Sequence, residues 1–276
     1  MPDPRNPNLI VIGAMKCGTS SLHEYLDRHP DIGMSQQKEL DYFVGNNSNQ
    51  SLGWYQAQFD PTKAIRGESS QNYSKAHFPW YAGAPERIAT LVPDAKLIYL
   101  VRDPIERYRS HVVENYLGET DTAKQINIAQ DGYVKTGLYH YQLSFFMEHF
   151  PQEQIMVIDL DALNRDRLTV MNQIFRFLGV DPIADPAVFN FTVNANGEDI
   201  LPPWLRYSLP YRAIHKLAPR LTERTISAPL VRNKLFAGSI KTPLSDTERD
   251  RLNTAFAPDV AALRALTGKA FAGWQV

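Results

Sequence analysis

Four short runs of branched apolar residues lie in the first part of the chain, and each one leads into a polar or helical stretch. The runs are Asn8 to Gly13, Lys63 to Glu68, Lys96 to Arg102 and Gln154 to Leu160. Runs this short and this apolar are typical of parallel strands that are buried on both faces. The pattern therefore predicts four strands of a mainly parallel sheet.

Between and after these runs, apolar residues recur at three- and four-residue spacing, which indicates helices. A final helix is predicted to begin near Ser245, because Ser245 precedes Glu248 by three residues as in a capping box. Alternating strands and helices predict an α/β fold with helices on the faces of a central sheet. The other predicted helices are Thr19 to Asp27, Pro104 to Tyr116, Tyr139 to Phe150 and Leu168 to Leu178.

Length and composition fit one soluble domain over residues 1–276. The chain is 43% hydrophobic with a formal net charge of −1, so a general nucleic-acid-coating role is not expected. The single cysteine, Cys17, excludes an intramolecular disulfide framework and a zinc site of several thiolates. The N-terminus lacks the pattern of a signal peptide and the longest apolar runs are too short to span a bilayer, which predicts a cytoplasmic protein.

The strongest chemical signal is the loop GAMKCGTSS at residues 13–21, between the first predicted strand and the first predicted helix. Glycines permit a tight turn, amides at a helix start point outwards, and a lysine adds a full charge, so the loop is suited to a phosphate or sulfate. It is P-loop-like but not a Walker A sequence, because Thr19 follows Gly18 where that motif requires lysine. The candidate anion ligands are Lys16, Cys17, Gly18, Thr19, Ser20 and Ser21.

A second signal follows the third predicted strand, which ends in Arg102 and turns through Asp103 and Pro104 into a helix that carries Ser110. The carboxyl ends of parallel strands meet at one edge of a sheet, and ligands of such sheets bind there. Arg102 offers a guanidinium fork to a phosphate and Ser110 offers a hydroxyl to the same group.

Together the two motifs resemble those of the sulfotransferases that use 3′-phosphoadenosine 5′-phosphosulfate (PAPS). The resemblance implies that the first loop binds the 5′-phosphosulfate, that Lys16 neutralises the bridging oxygen, and that Arg102 and Ser110 bind the 3′-phosphate. Further segments are similar to the heparan-sulfate-type and bacterial members, and they extend through most of the chain before about Asn190: Leu26 to Asp31, Lys38 to Phe43, Trp54 and Tyr55, Gly67 and Glu68, Gly137 to Tyr139, and Phe177 to Val180. Tyr139 is added from this set to the expected donor-binding residues.

The resemblance also implies a catalytic base. Carbohydrate-modifying members have a glutamate in a segment like Lys-Glu-x-x-Phe-Phe, and Glu39 stands at that position. A carboxylate can take the proton of an alcohol as the alcohol attacks sulfur. Cytosolic relatives use histidine instead, which makes His111 the alternative base. The chain departs from the family in having Asp41 where relatives often have histidine, and Ser69 where the heparan-type enzymes have lysine.

The predicted reaction is in-line transfer of a sulfuryl group from PAPS to a hydroxyl of a carbohydrate, a glycolipid or another small molecule, with no metal expected. Two alternatives remain at this point. The strand that ends in Asp159 matches a Walker B pattern, so a P-loop-type nucleotide-dependent kinase would place Mg²⁺ there. A non-catalytic nucleotide-binding module would retain the two loops without turnover.

A basic stretch lies within residues 190–242, the segment that we expect to form a lid or the acceptor side of the site. Between Pro203 and Lys241 the sequence has eight Lys and Arg residues and one acidic residue, Glu223. This composition allows a solvated lid, an anionic glycan acceptor, or a lipid-linked acceptor with peripheral membrane contact. The oligomeric state is left open by the sequence.

Overall fold

The computed structural model describes residues 3–118, 131–191 and 244–276. Five parallel strands form one sheet in the order β2-β3-β1-β4-β5. The strands are β1 (Leu9–Gly13), β2 (Ile32–Met34), β3 (Ile65–Ser69), β4 (Lys96–Val101) and β5 (Ile155–Asp159). The predicted α/β class with a mainly parallel central sheet is confirmed.

The sheet is the centre of the hydrophobic core. Every residue of β1 is fully buried, and β4 is buried from Leu97 to Val101. Leu9 of β1 pairs with Gly67 of β3 on one side and with Lys96 of β4 on the other. Burial on both faces explains why these strands are continuous apolar runs rather than alternating ones.

Nine α-helices connect and cover the strands in the part of the chain that the structure describes. The helices are α1 (Thr19–Asp27), α2 (Leu52–Gln56), α3 (Ala84–Leu91), α4 (Pro104–Gly118), α5 (Gly132–Lys135), α6 (Tyr139–Met147), α7 (Leu160–Arg165), α8 (Arg167–Leu178) and α9 (Asp246–Thr267). Helix α1 packs against β2 and β3, and α9 contacts α4, α5 and α6. The Ser245 hydroxyl caps α9 by accepting a hydrogen bond from the Glu248 amide, as predicted.

Strand order determines where a ligand can approach. The chain leaves β1 towards β2 and β3 on one side of the sheet, whereas it leaves β4 towards β5 on the other. The connections that follow β1 and β4 therefore diverge, which opens a crevice at the carboxyl ends of these two neighbouring strands. Both predicted anion-binding motifs follow these two strands.

The residues after α9 cross the carboxyl ends of β4 and β5. The Gln275 amide donates to Asp103 Oδ2 at 2.7 Å, and the Trp274 indole donates to Asp159 Oδ1 at 3.2 Å. Helix α9 ends at Thr267, before Trp274. The predicted lid at 190–242 and its basic stretch lie outside the described residues, apart from Asn190 and Phe191.

Candidate functional site

The loop between β1 and α1 is curled by three residues with left-handed backbone. The φ angles are 147° at Gly13, 68° at Lys16 and 86° at Gly18. A Cβ at Gly13 would lie 2.1 Å from the Ser74 hydroxyl, so glycine also permits the close approach of a neighbouring loop. Left-handed residues let the loop turn tightly, as anion-binding loops do. Within this loop the Ala14 amide donates to the Leu100 carbonyl and the Cys17 amide donates to the Ala14 carbonyl.

Helix α1 begins directly after this loop. Its first intrahelical hydrogen bond is donated by the Leu22 amide to the Gly18 carbonyl. The amides of Thr19, Ser20 and Ser21 precede that bond and therefore lie at the open, positive end of the helix dipole. The Thr19 side chain is buried, whereas Ser20 and Ser21 are half-buried. The helix end thus offers amides and hydroxyls to a negatively charged group.

Arg102 meets this loop from the end of β4. Its Nη1 donates to the Lys16 carbonyl at 3.3 Å, and its Nη2 lies 3.9 Å from Glu106 Oε2. The guanidinium is about a fifth exposed, so it keeps access to a ligand. Ser110 is half-buried on α4, two turns along the same segment. The structure therefore brings the two sequence motifs together at the carboxyl ends of β1 and β4.

Two of the predicted donor-binding side chains lie beneath the loops instead of facing the crevice. Cys17 and Tyr139 are both fully buried, with Cys17 Sγ 3.5 Å from the Tyr139 hydroxyl. That hydroxyl donates to the Arg102 carbonyl at 2.9 Å. The Tyr139 side chain thus supports both motifs from the core, and burial raises the pKa of the Cys17 thiol.

Glu39 lies on the segment that crosses the end of β3, the other neighbour of β1. Its amide donates to the Ser69 carbonyl at 2.9 Å. Its carboxylate is partly exposed and paired with Lys38 at 2.5 Å. Two residues on, burial raises the pKa of Asp41, whose Oδ2 accepts from Asn72 while the buried Oδ1 has no hydrogen-bond partner. Glu39 is accordingly the accessible carboxylate of this segment.

His111 occupies a different environment on α4. It is 1% exposed, and its Nδ1 lies 3.0 Å from Nη1 of the fully buried Arg107. A guanidinium can only donate, so Nδ1 is the acceptor and the neutral ring carries its proton on Nε2. Burial, with the positive charge of Arg107, lowers the pKa of His111 well below its usual value. The ring therefore has no free lone pair while this hydrogen bond is made.

Asp159, the residue of the Walker B pattern, ends β5. Its Oδ1 accepts from the Trp274 indole and from the Asp161 amide, so it caps α7 and holds the residues after α9. Within 3–118, 131–191 and 244–276, no group of three or more His, Cys, Asp or Glu side chains is arranged to hold a metal ion. In the same ranges no helix is both long and apolar enough to cross a membrane.

The sequence interpretation missed the buried carboxyl group of Glu68. It is 0% exposed at the end of β3 and accepts hydrogen bonds from two tyrosines and a serine. Burial raises its pKa to about 7, although the three hydroxyl donors oppose the rise. A glutamate inside a run predicted to be a buried strand was the available signal, because such a residue is seldom buried without partners.

The fold and the two converging loops define a P-loop-like α/β protein with a candidate anion site at the carboxyl ends of β1 and β4. The family model described as "Sulfotransferase domain" matches residues 6–193, and the chain belongs to that family. It is 30% identical over 201 residues to the mouse bifunctional heparan sulfate N-deacetylase/N-sulfotransferase 4, which covers 64% of this chain. Human N-deacetylase/N-sulfotransferase 3 is 29% identical over 203 residues. The chain spans about a fifth of the length of these relatives.

Solved structures show the same fold. A sulfotransferase from Alicyclobacillus acidocaldarius superposes with a TM-score of 0.65 at 24% identity, covering 98% of this chain and 99% of its own. Mouse sulfotransferase SULT7A1, solved in complex with PAP, superposes with a TM-score of 0.55 at 17% identity, covering 98% of this chain and 90% of its own. The predicted family and fold are thereby confirmed.

Proposed function

We propose that this chain transfers a sulfuryl group from PAPS to a hydroxyl of a carbohydrate, glycolipid or other small-molecule acceptor. The proposal rests on one observation: the Lys16 loop and Arg102 meet at the carboxyl ends of β1 and β4, where a hydrogen bond links them. Family membership supports the transfer. The complex of a structural relative with PAP (adenosine 3′,5′-bisphosphate), the product that PAPS leaves after transfer, supports PAPS as the donor.

In the proposed reaction the acceptor oxygen attacks sulfur in line with the bond that breaks. The new sulfur–oxygen bond forms as the bond from sulfur to the bridging oxygen of the phosphosulfate is cleaved, and that electron pair stays on the leaving bisphosphate. Lys16 neutralises the charge that develops on the leaving oxygen. The loop amides and the Thr19, Ser20 and Ser21 hydroxyls hold the 5′ group, while Arg102 and Ser110 hold the 3′-phosphate.

Glu39 is the proposed base that takes the acceptor's proton. Its carboxylate is accessible, and the segment that carries it lies at the same edge of the sheet as the loop. His111 is less suited, because Arg107 donates to its Nδ1 and its proton is held on Nε2. Tyr139 takes a supporting role beneath the two motifs in this scheme.

The kinase alternative has less support. Asp159 already accepts two hydrogen bonds on Oδ1, and Gly18 is followed by threonine rather than by the Walker A lysine. A carbohydrate acceptor is supported by the heparan sulfate enzymes among the relatives. Their names describe N-sulfotransferases, which transfer to nitrogen, so the hydroxyl as accepting group is proposed independently of them.

The test is turnover of PAPS labelled in its sulfuryl group, in the presence of a panel of neutral sugars, glycolipids, simple alcohols and phenols. We expect label in an acceptor whose mass rises by one SO₃ group, with adenosine 3′,5′-bisphosphate as the second product. Phosphorylation of an acceptor by ATP and Mg²⁺ would instead support the kinase. Tight bisphosphate binding with no turnover over the whole panel would support the non-catalytic module.

A further inference from the structure

A hydrogen-bonded network with Glu68 at its centre lies behind the segment that carries Glu39. The Tyr55 and Tyr73 hydroxyls donate to Glu68 Oε1 at 2.5 and 2.9 Å, and the Ser70 hydroxyl donates to Oε2 at 2.6 Å. The carboxyl group and both tyrosine rings are fully buried. Three hydroxyl donors on one buried carboxyl group fix the orientation of each donor.

This network reaches the candidate base through two main-chain contacts. The single proton of the Ser70 hydroxyl points to Glu68, so a Ser70 lone pair is directed at the Asp41 amide, which donates to it at 3.1 Å. The Glu39 amide donates to the Ser69 carbonyl at 2.9 Å. Both ends of the tripeptide from Glu39 to Asp41 are thus bonded to residues that immediately follow Glu68.

Aromatic contacts also join the Glu68 network to the segment that carries Glu39. Tyr42 stacks on Tyr55 with ring centroids 4.1 Å apart and planes 8° apart. Phe43 makes edge contacts with Tyr55 at 5.4 Å and with Tyr73 at 5.6 Å. The two tyrosines that donate to Glu68 therefore also form the surface on which residues 42 and 43 pack.

The segment needs such support because its backbone is strained. Glu39 and Asp41 have φ angles of 62° and 48°, in the left-handed region that side chains other than glycine disfavour. Such a conformation persists only where the surroundings over-determine it. The Glu68 network and its aromatic contacts supply that constraint on the buried side of the segment.

We infer that Glu68 is a positioning residue for sulfuryl transfer, acting through Tyr55, Tyr73 and Ser70 to hold the segment that presents Glu39. The inference rests on the role of Glu39 in the proposed function. Glu68 itself is sealed from the crevice and contacts no reacting atom. Small displacements of a catalytic group lower the rate steeply, so loosening this support is expected to reduce kcat without altering donor affinity.

The first test is amide hydrogen exchange, which needs no acceptor. Glu68→Gln and Ser70→Ala should each speed exchange of the Asp41 amide by about two- to tenfold, the effect of one lost neutral hydrogen bond, and leave amides of residues 14–18 unchanged. Tyr55→Phe keeps the ring and provides the milder variant should Glu68→Gln fold poorly.

Gln56→Leu is the matched control, because Gln56 is also buried on α2 but donates to Asp3 and Asn6. Unchanged exchange in residues 39–43 of Ser70→Ala and Tyr55→Phe overturns the inference.

The second test is a double-mutant cycle, with PAPS and a hydroxyl acceptor from the turnover panel. Glu68→Gln should lower kcat at least about tenfold, with the Kd for adenosine 3′,5′-bisphosphate within about twofold, and should cause no further loss in a Glu39→Gln background. An equal loss in both backgrounds overturns the positioning role while the proposed function stands. Full activity of Glu39→Gln alone overturns the base assignment and this inference with it.

Discussion

Arg102 Nη1 donates a hydrogen bond to the main-chain carbonyl of Lys16, and this contact spans the crevice between the ends of β1 and β4. The two residues are 86 positions apart in sequence, and the acceptor is a main-chain carbonyl. Arg102 Nη2 also lies 3.9 Å from the Glu106 carboxylate, and the side chain is about a fifth exposed, so the guanidinium is positioned beside the loop and stays accessible to a ligand. One anionic ligand with two charged ends can be held by both motifs at once.

The first prediction concerns recognition of the 3′-phosphate. Arg102→Ala should weaken adenosine 3′,5′-bisphosphate at least about tenfold and change AMP little, because a charge-assisted hydrogen bond contributes about 1.5–3 kcal/mol. Titration calorimetry with both nucleotides measures the difference. Arg176→Ala, on the exposed end of α8, controls for the change in net charge. Equal weakening of the two nucleotides would contradict the assignment of Arg102 to the 3′-phosphate.

The second prediction concerns the turn at Gly18. Gly18→Ala should lower the free energy of unfolding by about 1–2 kcal/mol, the cost of a left-handed alanine, and should also weaken the bisphosphate. Its Cβ would lie 2.9 Å from Leu160 Cδ1. Gly179→Ala is the matched control, because Gly179 has a φ of 82° with no atom within 4 Å of the added Cβ. Denaturant unfolding and calorimetry should show a stability loss in both variants and a binding loss in Gly18→Ala alone.

Much of the fold could be predicted because buried parallel strands such as β1 and β4 have nearly continuous apolar sequences. The four predicted runs correspond to β1, β3, β4 and β5 within about two residues at each end, although β3 contains Arg66 and Glu68. Strand β2 was missed, because it has three residues, one of them Gly33, and it pairs only at the edge of the sheet. Its strand character comes from its neighbour β3 and not from its own residues.

The candidate site could be proposed from the sequence where its residues are consecutive, as in the Gly13 to Ser21 loop, which the structure places between β1 and α1 as expected. Contacts between distant segments were not. Nothing in the sequence around Tyr139 indicates that its hydroxyl reaches the Arg102 carbonyl from the core. The Glu68 network likewise joins residues on α2, on β3 and in the turn after it, and only the folded chain brings them together.

The third prediction is a pH dependence of stability that belongs to Glu68. Its pKa is raised from 4.5 to about 7 in the folded chain, so the folded state retains a proton that the unfolded state loses over that range. The free energy of unfolding therefore falls as pH rises, by roughly 3 kcal/mol in total for this group. Urea unfolding of the wild type and of Glu68→Gln at pH 5 and pH 7.5 should show the wild type losing stability relative to the variant.

Three histidines, the buried His23 and His111 and the half-buried His77, act in the opposite direction and must be separated from this effect. The pKa of His23 is lowered to about 4 and that of His77 to about 3, mainly by burial. Burial, with the charge of Arg107, lowers the pKa of His111 well below its usual value. These groups reduce stability as pH falls below about 6.5. They are present in both chains, so the difference between wild type and variant isolates Glu68. A difference that stays constant with pH would contradict the prediction.

The fourth prediction separates the effect of Lys16 on rate from its effect on binding. If Lys16 neutralises the leaving oxygen, its charge is needed most in the transition state, and Lys16→Ala should lower kcat by roughly 10²-fold or more. The Kd for adenosine 3′,5′-bisphosphate should change much less. Lys16→Arg keeps the charge and is expected to recover part of the rate. Steady-state kinetics at saturating PAPS measures kcat, and calorimetry measures bisphosphate affinity. If Lys16→Ala left kcat unchanged and lowered only the affinity, the assignment of Lys16 to the leaving oxygen would be wrong.

The last prediction decides between the two bases. Glu39→Gln keeps the shape of the side chain and removes the proton acceptor, so kcat with an alcohol should fall by about 10²–10⁴ while bisphosphate affinity stays nearly intact. The loss should be smaller with an acidic phenol, which ionises without help. His111→Asn retains an acceptor near Nδ1 for Arg107 and should keep kcat within a few-fold, because His111 is neutral with its proton on Nε2. If instead Glu39→Gln stays active and His111→Asn loses the rate with unchanged donor binding, the proton must leave through His111, which would first have to break its bond to Arg107.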